Sequence, residues 1–316
     1  MPATAADGMG VQRVLAVMGP TASGKTRLAV ALARKMRGEL INADSRQSIS
    51  ELAIGVCKPT PAELQGIPCH GLGWSQLGVP FSAAAFRARA RDLMAEIWDR
   101  GSIPLVVGGT GLYIRALLGG FDFGGVVPDP ERKLPNASRE REAAMALSAA
   151  RSLAELDPEA ASSVDLHNPR RVVRAAELAR AGVRAGQVSP SWVAQKFACR
   201  VSPAQLRERI ALRSDQLMAE PLAREVEALV RRGISPALLA RSAIGYAEAV
   251  DWLAGRCTRQ QAVERVISRT WRYARAQMTW LRSEPGLTWV DAEASPEEMV
   301  SRCLAALREQ PAWELD

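Results

Sequence analysis

The stretch Gly19-Pro20-Thr21-Ala22-Ser23-Gly24-Lys25-Thr26 carries the spacing G-x-x-x-x-G-K-[ST]. An apolar run, Val14 to Met18, precedes it, and Leu28, Ala31, Leu32, Lys35 and Met36 follow at helical spacing. Strand, glycine loop and helix in that order make a phosphate-binding loop. Its glycines let backbone N–H groups turn inward around an anion, and the new helix adds the positive end of its dipole. Lys25 supplies a point charge for a terminal phosphate, and the Thr26 hydroxyl is placed to hold Mg²⁺. A phosphate or diphosphate is expected on Gly19 to Thr26.

The same strand–loop–helix rhythm recurs on both sides. Glu39 to Ala43 reads as a second short strand ending at Asp44-Ser45-Arg46-Gln47. Ser82 reads as the N-cap of a helix to about Asp99, stopped by Gly101. Ile103 to Val107 is a buried strand, followed by Gly108-Gly109-Thr110-Gly111 and a helix over about Leu112 to Leu118. This rhythm predicts an α/β fold, a parallel sheet flanked by helices. From Asp122 to about Lys196 no strand pattern is visible, and Asn168-Pro169 opens a well-capped helix, so a helical insertion domain is expected there. The expected core spans residues 11–121 and 197–316, with the insertion at 122–196. In the second part of the core, Phe197 to Val201 reads as a strand, and Ser202 to Gln205 as a capping box for a helix to about Met218. Helices near Ala223 to Arg232 and Thr258 to Arg282 follow, then a short strand at Leu287 to Val290 and a terminal helix.

Composition narrows the class. The 316 residues are 47% hydrophobic and 24% charged, as in an ordinary globular protein. No apolar run is long enough to span a bilayer, and Met1 to Gly10 lacks a signal-peptide pattern, so a cytoplasmic protein without membrane attachment is expected. Five cysteines, odd in number and without a Cys-x-x-Cys pair, and two histidines argue against a zinc site or a disulfide framework. The net charge of +7, carried almost entirely by arginine, suggests a polyanionic partner such as nucleic acid. A generally basic composition without such a partner is the alternative.

Three features could carry chemistry. Asp44, at a strand end near the phosphate loop, can act as a base or orient a metal, or simply cap the next turn. Ser45 and Gln47 can read a base edge or serve the turn. Thr110, among glycines after a buried strand, can point its hydroxyl into the site while the glycines admit a ligand close to the backbone, or it can cap the next helix, which would explain the Thr but not three glycines. Finally, Arg265, Arg269 and Arg272 line one face of the helix at Thr258 to Arg282, opposed on that helix only by Glu264, and Arg170, Arg171 and Arg174 cluster in the insertion. Trp271, Tyr273 and Trp280 can stack on bases or pack in the core.

With these residues in view, the chain resembles the bacterial tRNA dimethylallyltransferases (tRNA isopentenyltransferases) from Val14 to about Trp289. The phosphate loop, Asp44-Ser45-Arg46-Gln47, Ile54-Gly55 with Lys58-Pro59, and Val107-Gly108-Gly109-Thr110-Gly111-Leu112-Tyr113 carry the likeness. The resemblance implies transfer of a dimethylallyl group from its diphosphate to N6 of the adenosine 3′ of a tRNA anticodon. It implies Asp44 as general base, with Lys25, Thr110, the loop amides and Mg²⁺ held through Thr26 stabilising the leaving diphosphate. It also implies tRNA contacts from Asp44, Ser45, Arg46, Gln47, Thr110 and Arg170, Arg171, Val172, Val173 and Arg174, in a monomer. Ser48, Ile49, Cys69, Glu227, Trp271 and Ala276 depart from the family pattern. A free-adenylate prenyltransferase, a small-molecule kinase and a non-catalytic tRNA-binding paralogue remain alternatives.

Overall fold

The computed structural model describes residues 11–122, 139–184, 186–187 and 189–313. The chain divides into two compact units, Met1–Leu118 with Pro190–Asp316, and Gly119–Ser189. The larger unit opens with β1 (Arg13–Met18), α1 (Lys25–Met36), β2 (Gly38–Asn42), α2 (Pro61–Leu64) and β3 (Cys69–His70). α3 (Ala83–Asp99), β4 (Ile103–Gly108) and α4 (Gly111–Leu118) follow. The smaller unit holds β5 (Phe121–Asp122), α5 (Arg139–Leu156), α6 (Pro158–Ser163), α7 (Pro169–Arg180) and β6 (Gly186–Gln187). The larger unit resumes with β7 (Val193–Arg200), α8 (Pro203–Leu217), α9 (Glu220–Arg231), α10 (Pro236–Ser242) and α11 (Tyr246–Leu253). It ends with α12 (Arg259–Arg282), β8 (Leu287–Asp291) and α13 (Pro296–Arg308).

Six strands form one sheet in the order β3-β2-β4-β1-β7-β8, and every pairing is parallel. This is the α/β architecture that the sequence predicts. The chain passes from β1 to β2 and later returns to fill the gap with β4, so the connections on the two sides of β1 diverge. Ligands collect at the carboxyl ends of strands beside such a switch point. The loops leaving β1, β2 and β4 open at that edge.

Strand alternation explains the layers. Leu15, Val17, Leu40, Leu105, Val107 and Phe197 share a core with Leu28 and Leu32 of α1 and Met299 and Leu307 of α13. Val14, Ala16, Met18, Ile41 and Val106 are buried on the other face, where α3 and α4 pack near β4. Full burial of each such Val, Leu, Ile, Phe or Met side chain contributes about 1.5–3 kcal/mol, enough for packing rather than propensity to hold the helices. Caps fix their starts. Ser82 accepts the Ala85 N–H on α3, and Thr258 and Gln261 form a reciprocal capping box on α12. The box expected at Ser202 is half made. Ser202 accepts the Gln205 N–H, but the Gln205 side chain instead accepts from Arg209, one turn on.

Two expectations need correction. The strand expected at Phe197 begins at Val193, so the core resumes earlier than residue 197. Gln195 and Lys196 conceal it, because they are polar yet satisfied by neighbours: Gln195 donates to Thr288 at 2.9 Å and Lys196 to Glu284 at 2.6 Å. The insertion also contains strands, β5 and β6, whose two-residue lengths give no alternation to read. Its helices pack around Leu153, Val172, Val173 and Ala176. Residues 123–138 of the expected insertion lie outside the described residues.

At the sheet edge, buried Glu39 of β2 binds Arg100 in two hydrogen bonds of 3.0 and 2.9 Å and His70 of β3 at 2.7 Å. The Arg100 hydrogen bond, followed by that from His70, draws the Glu39 pKa below its ordinary 4.5 against the cost of burial. A carboxylate with a depressed folded pKa stabilises the fold above its unfolded pKa and loses that contribution as pH falls through the folded value. Glu39→Gln is therefore expected to lower stability by about 1–2 kcal/mol at pH 7, modest because Arg100 is half-exposed. Urea titrations should show the difference from the parent shrinking below about pH 4.

Candidate active site

A cleft of about 1030 Å³ lies at the carboxyl edge of the sheet, lined entirely by the larger unit. The phosphate loop forms one wall, and Asp44, Ser45 and Thr110 form another. Arg213 of α8 and Tyr273 and Gln277 of α12 also line it.

The loop is shaped to receive an anion. Ala22 and Gly24 turn through positive φ, +62° and +85°, where glycine is unstrained and alanine is not. α1 begins at Lys25 with no side-chain cap, so its first N–H groups remain available to a ligand at the positive end of the helix dipole. Lys25 forms no hydrogen bond or ion pair with the described residues. Burial lowers its pKa, and the charge of Asp44 is the largest influence raising it. Thr26 lines the cleft beside it.

Across the cleft, Asp44 is both turn residue and free base. Its Oδ1 accepts the N–H groups of Arg46 at 2.9 Å and Gln47 at 3.4 Å. Oδ2 has no hydrogen-bond partner among the described residues. Asn42 accepts the Asp44 N–H at 3.2 Å, and Ser48 donates to the Asp44 carbonyl at 3.0 Å. Thr110 is tied to the same turn: its Oγ1 accepts the Ser45 N–H at 3.0 Å, and its own N–H donates to Ala43 O at 3.2 Å. Lys25, Asp44 and Thr110, distant in sequence, thus share one cleft.

The glycines around Thr110 have a different use from the expected one. A Cβ at Gly108 would sit 2.3 Å from Ala43 O, one at Gly109 2.2 Å from Gln277 Nε2, and one at Gly111 2.7 Å from the Trp280 ring. They admit the protein's own backbone and α12. Gln277 is the functional candidate that sequence reasoning passed over. It is 2% exposed, accepts the Thr21 N–H at 2.8 Å and donates to Gly109 O at 3.1 Å. A polar residue embedded in the apolar stripe of α12 was the available signal.

Glu225 anchors a segment that lines the cleft. Glu225 of α9 accepts the N–H groups of Ala53, Ile54 and Gly55 at 2.6, 3.0 and 3.0 Å, and the Tyr246 hydroxyl at 2.8 Å. Burial and the neighbouring Glu225 charge raise the Tyr246 pKa and keep the hydroxyl protonated as a donor. The Gln47 amide, expected to read a base, donates here to Cys57 O at 2.8 Å and Val56 O at 3.3 Å. Arg213 Nε lies 3.2 Å from Cys57 Sγ.

The arginine faces are more neutralised than the sequence suggests. Arg269 pairs with Glu248, Arg265 with Asp251 and Arg259 with Asp215, acids that come from other helices. Arg272 and Arg275 remain exposed. In the smaller unit Arg170 and Arg171 are exposed, Arg171 within 3.9 Å of Asp165, and Arg174 pairs with Glu177 at 2.9 Å. Val172 and Val173 are buried in that unit's core, so their side chains do not face a partner. Trp271 packs under Arg207 at 4.6 Å, while Tyr273 and Trp280 line the cleft.

A phosphate loop, a carboxylate oxygen without a hydrogen-bond partner and a hydroxyl, all lining one cleft at the carboxyl edge of a parallel sheet, make up the kind of site an α/β enzyme uses. Residues 47–284 match the family model described as IPP transferase, and residues 12–69 the model described as isopentenyl transferase. The chain belongs to the IPP transferase family. It is 40% identical to the tRNA dimethylallyltransferase of Anaeromyxobacter sp. (strain Fw109-5), over 92% of this chain and 99% of that one. It is 38% identical to the Salinispora tropica tRNA dimethylallyltransferase, over 97% of each chain. The crystal structure of the Bacillus halodurans tRNA isopentenylpyrophosphate transferase superposes with a TM-score of 0.68 at 31% identity, covering 94% of this chain and 96% of that one. A eukaryotic dimethylallyltransferase shares the fold with a TM-score of 0.75 at 23% identity, covering 94% and 79%.

Glu225→Ala would leave three N–H groups and the Tyr246 hydroxyl without their acceptor. It should cost about 2–4 kcal/mol, whereas Tyr246→Phe should cost about 1 kcal/mol. Denaturant unfolding gives both values, and limited proteolysis of Glu225→Ala should cut within residues 53–59 first.

Proposed function

We propose that this chain transfers the dimethylallyl group of dimethylallyl diphosphate to N6 of the adenosine 3′ of a tRNA anticodon, releasing diphosphate. The observation that carries this reading is the phosphate loop and the Asp44–Thr110 wall in one cleft, in a member of the IPP transferase family. The donor's diphosphate sits on residues 19–26, with Lys25 against its charge. The adenine leaves its stack to enter the cleft, because N6 is out of reach within a stacked strand. A bond forms between N6 and the allylic carbon as the carbon–oxygen bond to the diphosphate breaks. Asp44 Oδ2 accepts the N6 proton, while the two amide bonds on Oδ1 hold the carboxylate in place. Lys25, the loop amides and the Thr110 hydroxyl stabilise the charge that grows on the leaving group.

Thr26 fits a role as the protein ligand of Mg²⁺. Among the described residues no three His, Cys, Asp or Glu side chains cluster as a metal cage, and Mg²⁺ beside phosphates takes few protein ligands, substrate oxygens and water. When bound, it would screen the diphosphate charge. The exposed arginines Arg170 and Arg171 and the cleft residues Ser45, Arg46 and Gln47 supply tRNA contacts, Gln47 through its remaining carbonyl oxygen. No helix among the described residues is long and apolar enough to cross a membrane. The protein acts as a monomer in the cytoplasm, where its tRNA substrate resides.

The test incubates the purified protein with Mg²⁺, dimethylallyl diphosphate and unmodified tRNA, and follows N6-dimethylallyladenosine by nucleoside mass spectrometry. The parent should form it. Asp44→Ala should lower kcat by about 10²–10⁴-fold, and Thr110→Ala by about 10–10³-fold. Binding of tRNA without product would overturn the catalytic reading and favour the binding-only paralogue.

A further inference from the structure

Gln277 lies in the last third of α12, on the face where apolar residues pack inward. It is buried, and both ends of its amide are used. Oε1 takes the N–H of Thr21 in the loop after β1, and Nε2 gives to the carbonyl of Gly109 in the loop after β4. The connection continues beyond Gly109. Thr110 N–H binds Ala43 O, and Thr110 Oγ1 accepts the Ser45 N–H, so the residues on both sides of Asp44 hang from the same ladder. A single side chain therefore joins the anion-binding loop to the proton-accepting wall.

The chemistry of this position admits little else. An acceptor must face Thr21 and a donor must face Gly109, at the reach of a glutamine side chain. A carboxylate at neutral pH offers two acceptors and would set an oxygen against the Gly109 carbonyl. The close approach of Nε2 to Gly109 leaves no room for a side chain at residue 109. Because Thr21 spends its N–H on Gln277 and Ser23 spends its own on Pro20 O, the anion is left to the other loop amides and the start of α1.

We propose that Gln277 is a positioning residue that fixes the separation and orientation between the bound diphosphate and Asp44. The proposal rests on the transferase reading above. Transfer in line from a diphosphate to a base is sensitive to such placement, and a shift of about 1 Å can cost about 10²-fold in rate. A residue that only supports the fold would change the amount of folded enzyme, not the rate constant of what remains folded.

The experiment compares the parent with Gln277→Leu, Gln277→Glu, Thr110→Ala and the double variant Gln277→Leu with Thr110→Ala, below the thermal midpoint of each. Gln277→Leu is expected to lower kcat by about 10–100-fold while the tRNA KM changes less than about threefold. In Gln277→Glu, kcat relative to the parent should rise as pH falls from about 8 to about 6, because a protonated carboxyl restores the donor toward Gly109. The double variant should lose much less than the product of the single losses. Parent-like kcat in both Gln277 variants, or a fully multiplicative double variant, would overturn the proposal. Isothermal calorimetry with inorganic diphosphate separates this from the functional reading. If the parent transfers no prenyl group, that reading fails. About tenfold weaker diphosphate binding by Gln277→Leu would still support the loop coupling, and unchanged binding would overturn it.

Discussion

A lysine ammonium with no protein anion bonded to it sets the terms for the rest of this structure. Lys25 sits where burial disfavours its charge, and Asp44, across the cleft, is the largest influence holding the charge on. Partly buried surroundings make a bare cation costly. They also strengthen its attraction to an arriving polyanion, since Coulomb energy rises as the effective dielectric falls. The uncapped start of α1 creates the same condition in the backbone, as donors left open for a ligand. The fold keeps these unsatisfied groups in position by satisfying nearly everything around them. Asn42, Ser48, Thr110 and Gln277 spend their polar atoms on the loops themselves.

Much of this was legible in the sequence where local chemistry decides the outcome. The phosphate loop, the helix capped by Ser82 and the strand at Ile103 need only spacing, caps and apolar runs, and they form where expected. The start of β7 was hidden because Gln195 and Lys196 find partners in the turn after α13, in β8 and in the segment after α12. Burial of polar residues by distant partners leaves no trace in a local window. Asp44 and Thr110 were legible as candidates because they end strands. Their coupling through the Ser45 N–H was not, since it depends on β2 and β4 being neighbours. The Thr110 glycines were readable as a sign of close approach but not of what approaches. α12 itself does.

The arginines show the same limit in electrostatics. Counting charge along α12 finds one opposing acid, whereas folding delivers Glu248, Asp251 and Asp215 from other helices. Such pairs reduce the local field that a polyanion meets, so net charge overstates the attraction. The arginines left exposed, among them Arg170, Arg272 and Arg275, are better guides to where a nucleic acid is felt.

One edge of the sheet is β3, a strand of only two residues whose outer side pairs with no strand among the described residues. Beside it stands the Glu39–His70–Arg100 cluster. A longer, flatter and more apolar edge would offer a row of free N–H and C=O groups to the edge of another molecule. Here the template is too short to register a foreign strand, and the charged side chains next to it would have to give up water for one to dock. A sheet of parallel strands, slow to assemble because its contacts are far apart in sequence, is thereby guarded at this margin against growing into its neighbours.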